Sequence, residues 1–297
     1  MSEIQPFESF DSQAQIEAHS AGLPRIVLEG KDDVKFFEQF WFTDYLSRFE
    51  FVEAGKIGEH GGGCAAVAAA VAFSREHDGI PAFGVVDRDT LFRQRCWAGL
   101  YELDDAKFLD HANDDNVFIA SLWEVEAYVL SGERLAEWVE GNHSAPPGSP
   151  AACAAAPGKA IKECELLLQM APFLAAMHVG GETVAVEYFS GEMLDAIEEK
   201  CRVVLANIDL RHQVHADIVQ MFLDKVMEGA PADTENRLRW FLKYVDTKRL
   251  FVRLRSALNL HAQASHWQLA TIMKRTGDRP AELENYLVEA EAKLAVA

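Results

Sequence analysis

The stretch LPRIVLEGKDDVKFF, residues 23–37, decides the fold that we expect for this chain. Its apolar run from Leu23 to Leu28 is typical of a strand buried on both faces of a sheet. We expect this strand to end at Glu29. From Lys31 to Ser47, aromatic residues recur at helical spacing. A strand that leads directly into a helix predicts an α/β domain.

The same alternation continues along the first half of the chain. Three further apolar runs predict strands at Phe49 to Glu53, Ile80 to Val86 and Asn116 to Ala120. A glycine-rich loop, Gly55 to Gly63, is followed by an alanine-rich helix to about Glu76. Strands separated by crossover helices imply a mostly parallel sheet, in which ligands lie beyond the carboxyl ends of the strands.

Composition divides the chain into two predicted domains. The segment GNHSAPPGSPAACAAAPG, residues 141–158, is rich in Pro, Gly, Ser and Ala, which is typical of a linker. Residues 1–140 are predicted to form the α/β domain and residues 159–297 a C-terminal helical domain. Within the second domain, the expected helices lie near 159–177, 191–228, 233–245, 247–260 and 265–296.

Carboxylates gather at or just beyond the predicted carboxyl ends of the strands. Their mutual repulsion raises their pKa values and costs stability, so such a cluster needs a reason. A divalent cation supplies one, because Mg²⁺ prefers oxygen ligands. We expect Glu124 to be a solvent-exposed neighbour of Glu126 and not a ligand. The full set is Glu29, Asp33, Asp87, Asp89, Glu124 and Glu126.

Three motifs in this half resemble the TOPRIM family. Residues 23–37 resemble its first motif, a hydrophobic strand followed by E-G-x-x-D, and FGVVDRDT, residues 83–90, resembles its D-x-D motif. LWEVEAYVL, residues 122–130, resembles the next segment of TOPRIM nucleases of the overcoming-lysogenization-defect group and of PARIS-type anti-phage effectors. The likeness covers about residues 23–132 and implies a Rossmann-like TOPRIM sheet flanked by helices.

The resemblance also implies a set of metal ligands. Glu29 would be a metal ligand or general base, and Asp33 would join the metal shell. Asp87 and Asp89 match the D-x-D ligands, and Glu126 matches the glutamate of the third motif. The implied cofactor is Mg²⁺ or Mn²⁺, as two ions about 4 Å apart.

Two further assignments depend on the same likeness. Ala127 stands where the family has Asn, which weakens the match of the third motif, although Tyr128 keeps its place. Nucleases of this type also use a late lysine, for which Lys248 is the candidate. Its expected role is to neutralise charge that develops at the scissile phosphate. The expected catalytic residues are therefore Glu29, Asp87 and Lys248.

Charge is strongly segregated along the chain. A formal net charge of −19 argues against a protein that coats nucleic acid non-specifically. Residues 237–255 nevertheless hold seven Lys or Arg and one acid. This basic strip is expected either to follow a nucleic-acid backbone or to be the solvent-exposed face of two amphipathic helices. Its members are Arg237, Arg239, Lys243, Lys248, Arg249, Arg253 and Arg255.

The leading hypothesis is a metal-dependent nuclease that cleaves RNA, tRNA among the candidates, or DNA. The resemblance implies an anti-phage effector controlled by a separate ATPase, and by analogy a homodimer. Five scattered cysteines favour a reducing cytoplasm. The longest apolar run, Cys64 to Phe73, is about half the length that a membrane span needs. No membrane partner is expected.

Other functional classes fit less well. A haloacid-dehalogenase site needs threonine four residues after its first Asp, whereas Thr90 follows Asp87 by three. The segment Cys153 to Ala160 is a near miss for a phosphate-binding loop, without the first glycine and the final hydroxyl. Topoisomerases and primases need additional domains. A non-catalytic TOPRIM-like interaction module is the main alternative to an enzyme.

Overall fold

Short apolar runs form the strands of a single sheet in this structure, a computed structural model that describes residues 22–58, 63–114, 116–145, 147–189, 196, 199, 202–203 and 210–296. The strands are β1 (Arg25–Leu28), β2 (Glu50–Glu53), β3 (Ala82–Val86), β4 (Asn113–Asp114) and β5 (Val117–Ile119). The α-helices are α1 (Lys31–Lys35), α2 (Cys64–Phe73), α3 (Asp89–Arg93), α4 (Trp97–Leu100), α5 (Asp105–Ala112), α6 (Gly132–Asn142), α7 (Pro150–Val179), α8 (Leu210–Glu228), α9 (Thr234–Phe241), α10 (Thr247–Ala257), α11 (His266–Thr276) and α12 (Ala281–Val296). The predicted α/β class is confirmed.

The sheet has the strand order β2-β1-β3-β5-β4. Strands β2, β1, β3 and β5 are parallel, and β4 pairs antiparallel with β5 at the edge. The chain leaves β1 towards β2 on one side, and β3 then pairs with the other side of β1. Such a reversal of strand order opens a crevice at the carboxyl ends of the two central strands. The predicted site residues Glu29 and Asp87 directly follow those two strands.

The first predicted helix, Lys31 to Ser47, is not α-helical throughout. Only Lys31–Lys35 is α-helical, and the chain continues as a π-helical segment, Phe36–Trp41. There the N–H of Phe42 donates to the carbonyl of Phe37, and the rings of Phe36 and Trp41 stack with centroids 4.8 Å apart. Helical spacing in a sequence does not distinguish an α-helix from this wider turn.

Helix α2 packs closely on the sheet at a glycine. A Cβ atom at Gly84 of β3 would lie 2.6 Å from Val67 Cγ1 and 3.2 Å from Val71 Cγ2. Both valines are buried members of one apolar cluster that also contains Val27 of β1. Glycine is therefore required at residue 84 by the close approach of helix to strand.

The chain forms two compact units whose boundaries differ from the predicted domains. The first unit contains the described residues up to Thr90, with Leu109–Ala120 and the residues from Ala270 onwards. The second contains Leu91–Phe108 and Ser121–Leu269. The C-terminal residues belong with the sheet because the ring of Tyr286 stacks on Phe118 of β5, with centroids 4.9 Å apart. Such long-range packing has no signature in local composition.

Within the second unit, α7 is the central helix, and helices α6, α8, α9 and α10 all pack on it. The linker predicted over residues 141–158 is wrong from Pro150 onwards, because Ser149 caps α7 and proline is well tolerated at the first helical position. The near-miss phosphate-loop segment is consequently helical. The helices predicted near 159–177 and 247–260 are confirmed, and the one predicted near 233–245 ends at Phe241. The single helix predicted near 265–296 is wrong, because residues 277–280 separate α11 from α12. Most of residues 191–209 lie outside the described residues. None of the described helices combines the length and apolarity that crossing a bilayer requires.

The contact at Gly84 predicts a clear stability difference between two glycine substitutions. Gly84→Ala should lower the free energy of unfolding by about 1–3 kcal/mol, because Val67 and Val71 must move to accept a methyl group. Gly158→Ala is the matched control, since Gly158 lies inside α7 and an added methyl group would meet nothing within 4 Å. That change should stabilise the protein by about 0.5–1 kcal/mol. Urea denaturation measures both, and equal effects would contradict the packing argument.

Candidate metal centre

Three carboxylates meet at the crevice between β1 and β3. Glu29, Asp87 and Asp89 each offer an oxygen, and these oxygens all lie within 4.8 Å of one another. Asp87 is only 6% exposed, and Glu29 is half-buried. Separated stretches of the chain are brought together here, as the sequence predicts for these three residues.

The local backbone fixes the relative positions of these acids. The N–H of Asp87 donates to Glu29 Oε1 at 2.9 Å, which ties the end of β1 to the end of β3. The N–H of Thr90 then donates to the carbonyl of Asp87 at 3.1 Å, so the chain turns immediately after the strand. Helix α3 begins at Asp89 in that turn. The strand register and this turn together place Asp87 and Asp89 beside Glu29.

Asp33 has a different position from these three acids. Its side chain is 8% exposed, and Oδ2 accepts a hydrogen bond from the N–H of Gly30 at 3.0 Å. This contact closes the first turn of α1, where an acid also interacts favourably with the helix dipole. Asp33 is not a member of the carboxylate group found among the described residues. Its assignment as a metal ligand stays a prediction.

The donor set of the triad fits a single hard cation. A Mg²⁺ ion with ligand bonds of about 2.1 Å places adjacent oxygens about 3 Å apart and opposite oxygens about 4.2 Å apart. The oxygens of the triad, which lie within 4.8 Å of one another, are close to those separations. Three carboxylates also leave coordination positions for water or substrate. Glu29, Asp87 and Asp89 would therefore hold the first ion.

The third motif lies in the second unit and contains two buried acids. Glu126, in the 3₁₀ turn Val125–Val129, is 7% exposed, and among the described residues its Oε2 atom has no hydrogen-bond partner. A buried carboxylate oxygen in that state is costly unless a cation or a water meets it. Glu126 thus has the chemistry of a metal ligand, and its assignment to an ion stays a prediction.

Glu124 differs from the exposed residue that we expected, because it is 3% exposed. Its Oε1 accepts from Lys248 Nζ at 2.6 Å, and its Oε2 accepts from the backbone N–H of Lys248 at 3.2 Å. Burial raises the pKa of Glu124 to about 8, and the Lys248 ammonium opposes that rise. The candidate catalytic lysine is therefore held by a residue that sequence reasoning placed in solvent.

The basic strip carries less free positive charge than its sequence suggests. Five residues of the basic strip form ion pairs with acids of the second unit. Arg239, Lys248 and Arg255 are the exposed members of the strip. The pairs are Arg237–Glu165, Lys243–Asp105, Lys248–Glu124, Arg249–Asp246 and Arg253–Glu163. Four of these five acids lie outside residues 237–255, and only Asp246 lies inside that window. The charge of the window alone therefore overstates the positive charge of the strip.

Two features near the acids had no clear sequence signal. Arg88, between the two aspartates, is fully buried, whereas D-R-D after a strand is typical of an exposed polar turn. The predicted glycine-rich loop, Gly55 to Gly63, is described only in part. Residues 59–62 lie outside the described residues, and the flanking Gly58 and Gly63 have positive φ angles, which favour glycine.

The triad predicts opposite stability effects of one substitution with and without metal. In EDTA, Asp89→Asn should stabilise the protein by about 1 kcal/mol, because it removes repulsion between close carboxylates. With Mg²⁺ at about 100 times its Kd, the wild type should gain about 2.7 kcal/mol and the variant much less. Thermal unfolding measures both effects. Asp32→Asn, an exposed acid outside the triad, is the control that should keep the metal response; an equal response in Asp89→Asn would contradict the site.

Comparisons with known proteins identify no family for this chain. The chain matches no protein-family model, no curated protein and no solved structure.

Proposed function

We propose that this chain is a metal-dependent nuclease that hydrolyses phosphodiester bonds in RNA or DNA. The observation that carries the proposal is the triad of Glu29, Asp87 and Asp89, whose oxygens lie within 4.8 Å of one another at the reversal of strand order. Three close carboxylates destabilise a protein unless a cation binds between them. Oxygen ligands in this number suit Mg²⁺ or Mn²⁺.

More specifically, we propose a nuclease of the TOPRIM family. Two observations support this: the order of the three motifs, and the parallel strands β1 and β3, which precede the first and second motifs. A second ion would need a further oxygen ligand, for which Asp33 of the first unit is the candidate. The assignment of Glu126 as a metal ligand follows from the third motif alone and stays a prediction. Control by a separate ATPase, a role in anti-phage defence and a homodimer are proposals that follow from the resemblance alone.

The residues of the triad would have different roles in the reaction. A bound Mg²⁺ or Mn²⁺ would supply Lewis-acid activation of a water molecule and of the scissile phosphate. Asp87 and Asp89 would fix the ion at the crevice. Glu29, whose Oε1 accepts from the N–H of Asp87, would either be the third ligand of that ion or, without a bond to the metal, receive a proton from the attacking water. Lys248 would contribute positive charge near a phosphate of the substrate.

Cleavage assays test the proposal directly. The purified full chain should cleave labelled tRNA or plasmid DNA with Mg²⁺ or Mn²⁺ and should stop when EDTA is added. Glu29→Gln and Asp87→Asn should each lower the rate at least about a hundredfold, because each removes a charge that the reaction needs. Asp32→Asn, which keeps the triad, should retain the rate. Cleavage that persists in EDTA or in Asp87→Asn would exclude this site as the catalyst.

The exposed members of the basic strip predict where the substrate backbone binds. Arg255→Glu should weaken nucleic-acid binding and reduce the slope of log affinity against log salt by about 1. Arg275→Glu, an exposed arginine outside the strip, is the matched control. Fluorescence anisotropy across a salt series measures both variants. Loss of binding in the control alone, or in neither variant, would remove the strip from the proposed interface.

A further inference from the structure

At the N-terminus of α10, Glu124 forms an ion pair with Lys248. Both oxygens of Glu124 accept from a single residue, Lys248, one from its ammonium at 2.6 Å and one from its backbone N–H at 3.2 Å. The two partners differ sharply in exposure, since the Glu124 side chain is 4% exposed and that of Lys248 is 55% exposed. A buried carboxylate thus holds a lysine that remains accessible to solvent.

We propose that Glu124 is a positioning residue, which fixes the ammonium of Lys248 so that it can contact a backbone phosphate of a bound nucleic acid. This inference rests on the proposed function, and it assigns a role to an acid that the proposed reaction does not use. A lysine side chain has several rotatable bonds, so an ordered ammonium binds phosphate with a smaller loss of entropy.

The alternative interpretation is that Glu124 competes with phosphate for Lys248. A phosphate would then have to displace Glu124 Oε1 from the ammonium. Displacement would leave a buried carboxylate with only the backbone N–H of Lys248 at 3.2 Å, which costs more than an exposed ion pair contributes. The burial of Glu124 therefore favours a permanent support over a competitor.

The two interpretations predict opposite signs for one substitution. Glu124→Gln keeps the shape of the side chain but leaves one acceptor oxygen for two donors. If Glu124 positions Lys248, binding of tRNA or of a DNA duplex should weaken about tenfold, although the protein has lost a negative charge. If Glu124 competes with phosphate, or only adds negative charge, the same variant should bind more tightly.

A double-mutant cycle connects the effect to Lys248. Lys248→Ala should weaken binding by a similar factor, and Glu124→Gln with Lys248→Ala should bind no worse than Lys248→Ala alone. Anisotropy measured in EDTA makes this test independent of cleavage. Failure of the nuclease proposal would appear as intact binding without metal-dependent cleavage, whereas tighter or additive binding effects would overturn the positioning role alone.

Chemical labelling gives a readout that needs no nucleic acid. Acylation of Lys248, followed by mass spectrometry, should be faster in Glu124→Gln than in the wild type, because the ammonium is no longer held. Lys31, an exposed lysine, serves as the internal reference. Glu50→Gln, which breaks the buried Arg25–Glu50 pair, controls for a general loss of stability and should leave Lys248 unchanged. An unchanged rate at Lys248 in Glu124→Gln would overturn the proposal.

Discussion

The parallel pairing of β1 with β3 is the constraint on which the candidate site depends. This pairing brings the end of β1 to the end of β3, where the N–H of Asp87 donates to Glu29 Oε1. At the opposite end of β1, Arg25 forms a buried ion pair with Glu50 of β2 at 2.9 Å. A slip of one residue in either pairing would bury the wrong side chains and separate these contacts. The register is thus held by polar contacts at both ends and by apolar packing between them.

Several acids of this protein lie where they oppose stability. Three carboxylates share one crevice. Glu124 and Glu126 are buried in the second unit, and burial raises the pKa of Glu124, with smaller contributions from Asp246 and Glu126. Packing alone would not select such arrangements, because buried like charges are costly. Groups of this kind are concentrated at functional sites, where a cation or a substrate offsets the cost. The carboxylate geometry therefore supports the proposal of a metal site at the ends of β1 and β3.

Much of the α/β half could be predicted because its signals are local. The run Leu23 to Leu28 is apolar apart from Arg25, and an acid follows it directly, so both the strand and the position of Glu29 can be derived from neighbouring residues. The same is true of β3 and the aspartate pair. Glu124 is the opposite case: its acidic side chain gave no local reason for burial. Its partner Lys248 lies more than a hundred residues later in the chain.

By itself, the sequence determined the class of fold, the order of the strands along the chain and the acids that follow two of them, because each depends on local periodicity. Only the tertiary structure decided that Tyr286 packs on the sheet, that α7 begins at Pro150 and that the basic strip is largely matched by acids from other helices. Side-chain contacts between distant segments depend on how the backbone brings them together. Local composition therefore does not indicate which distant segments come into contact.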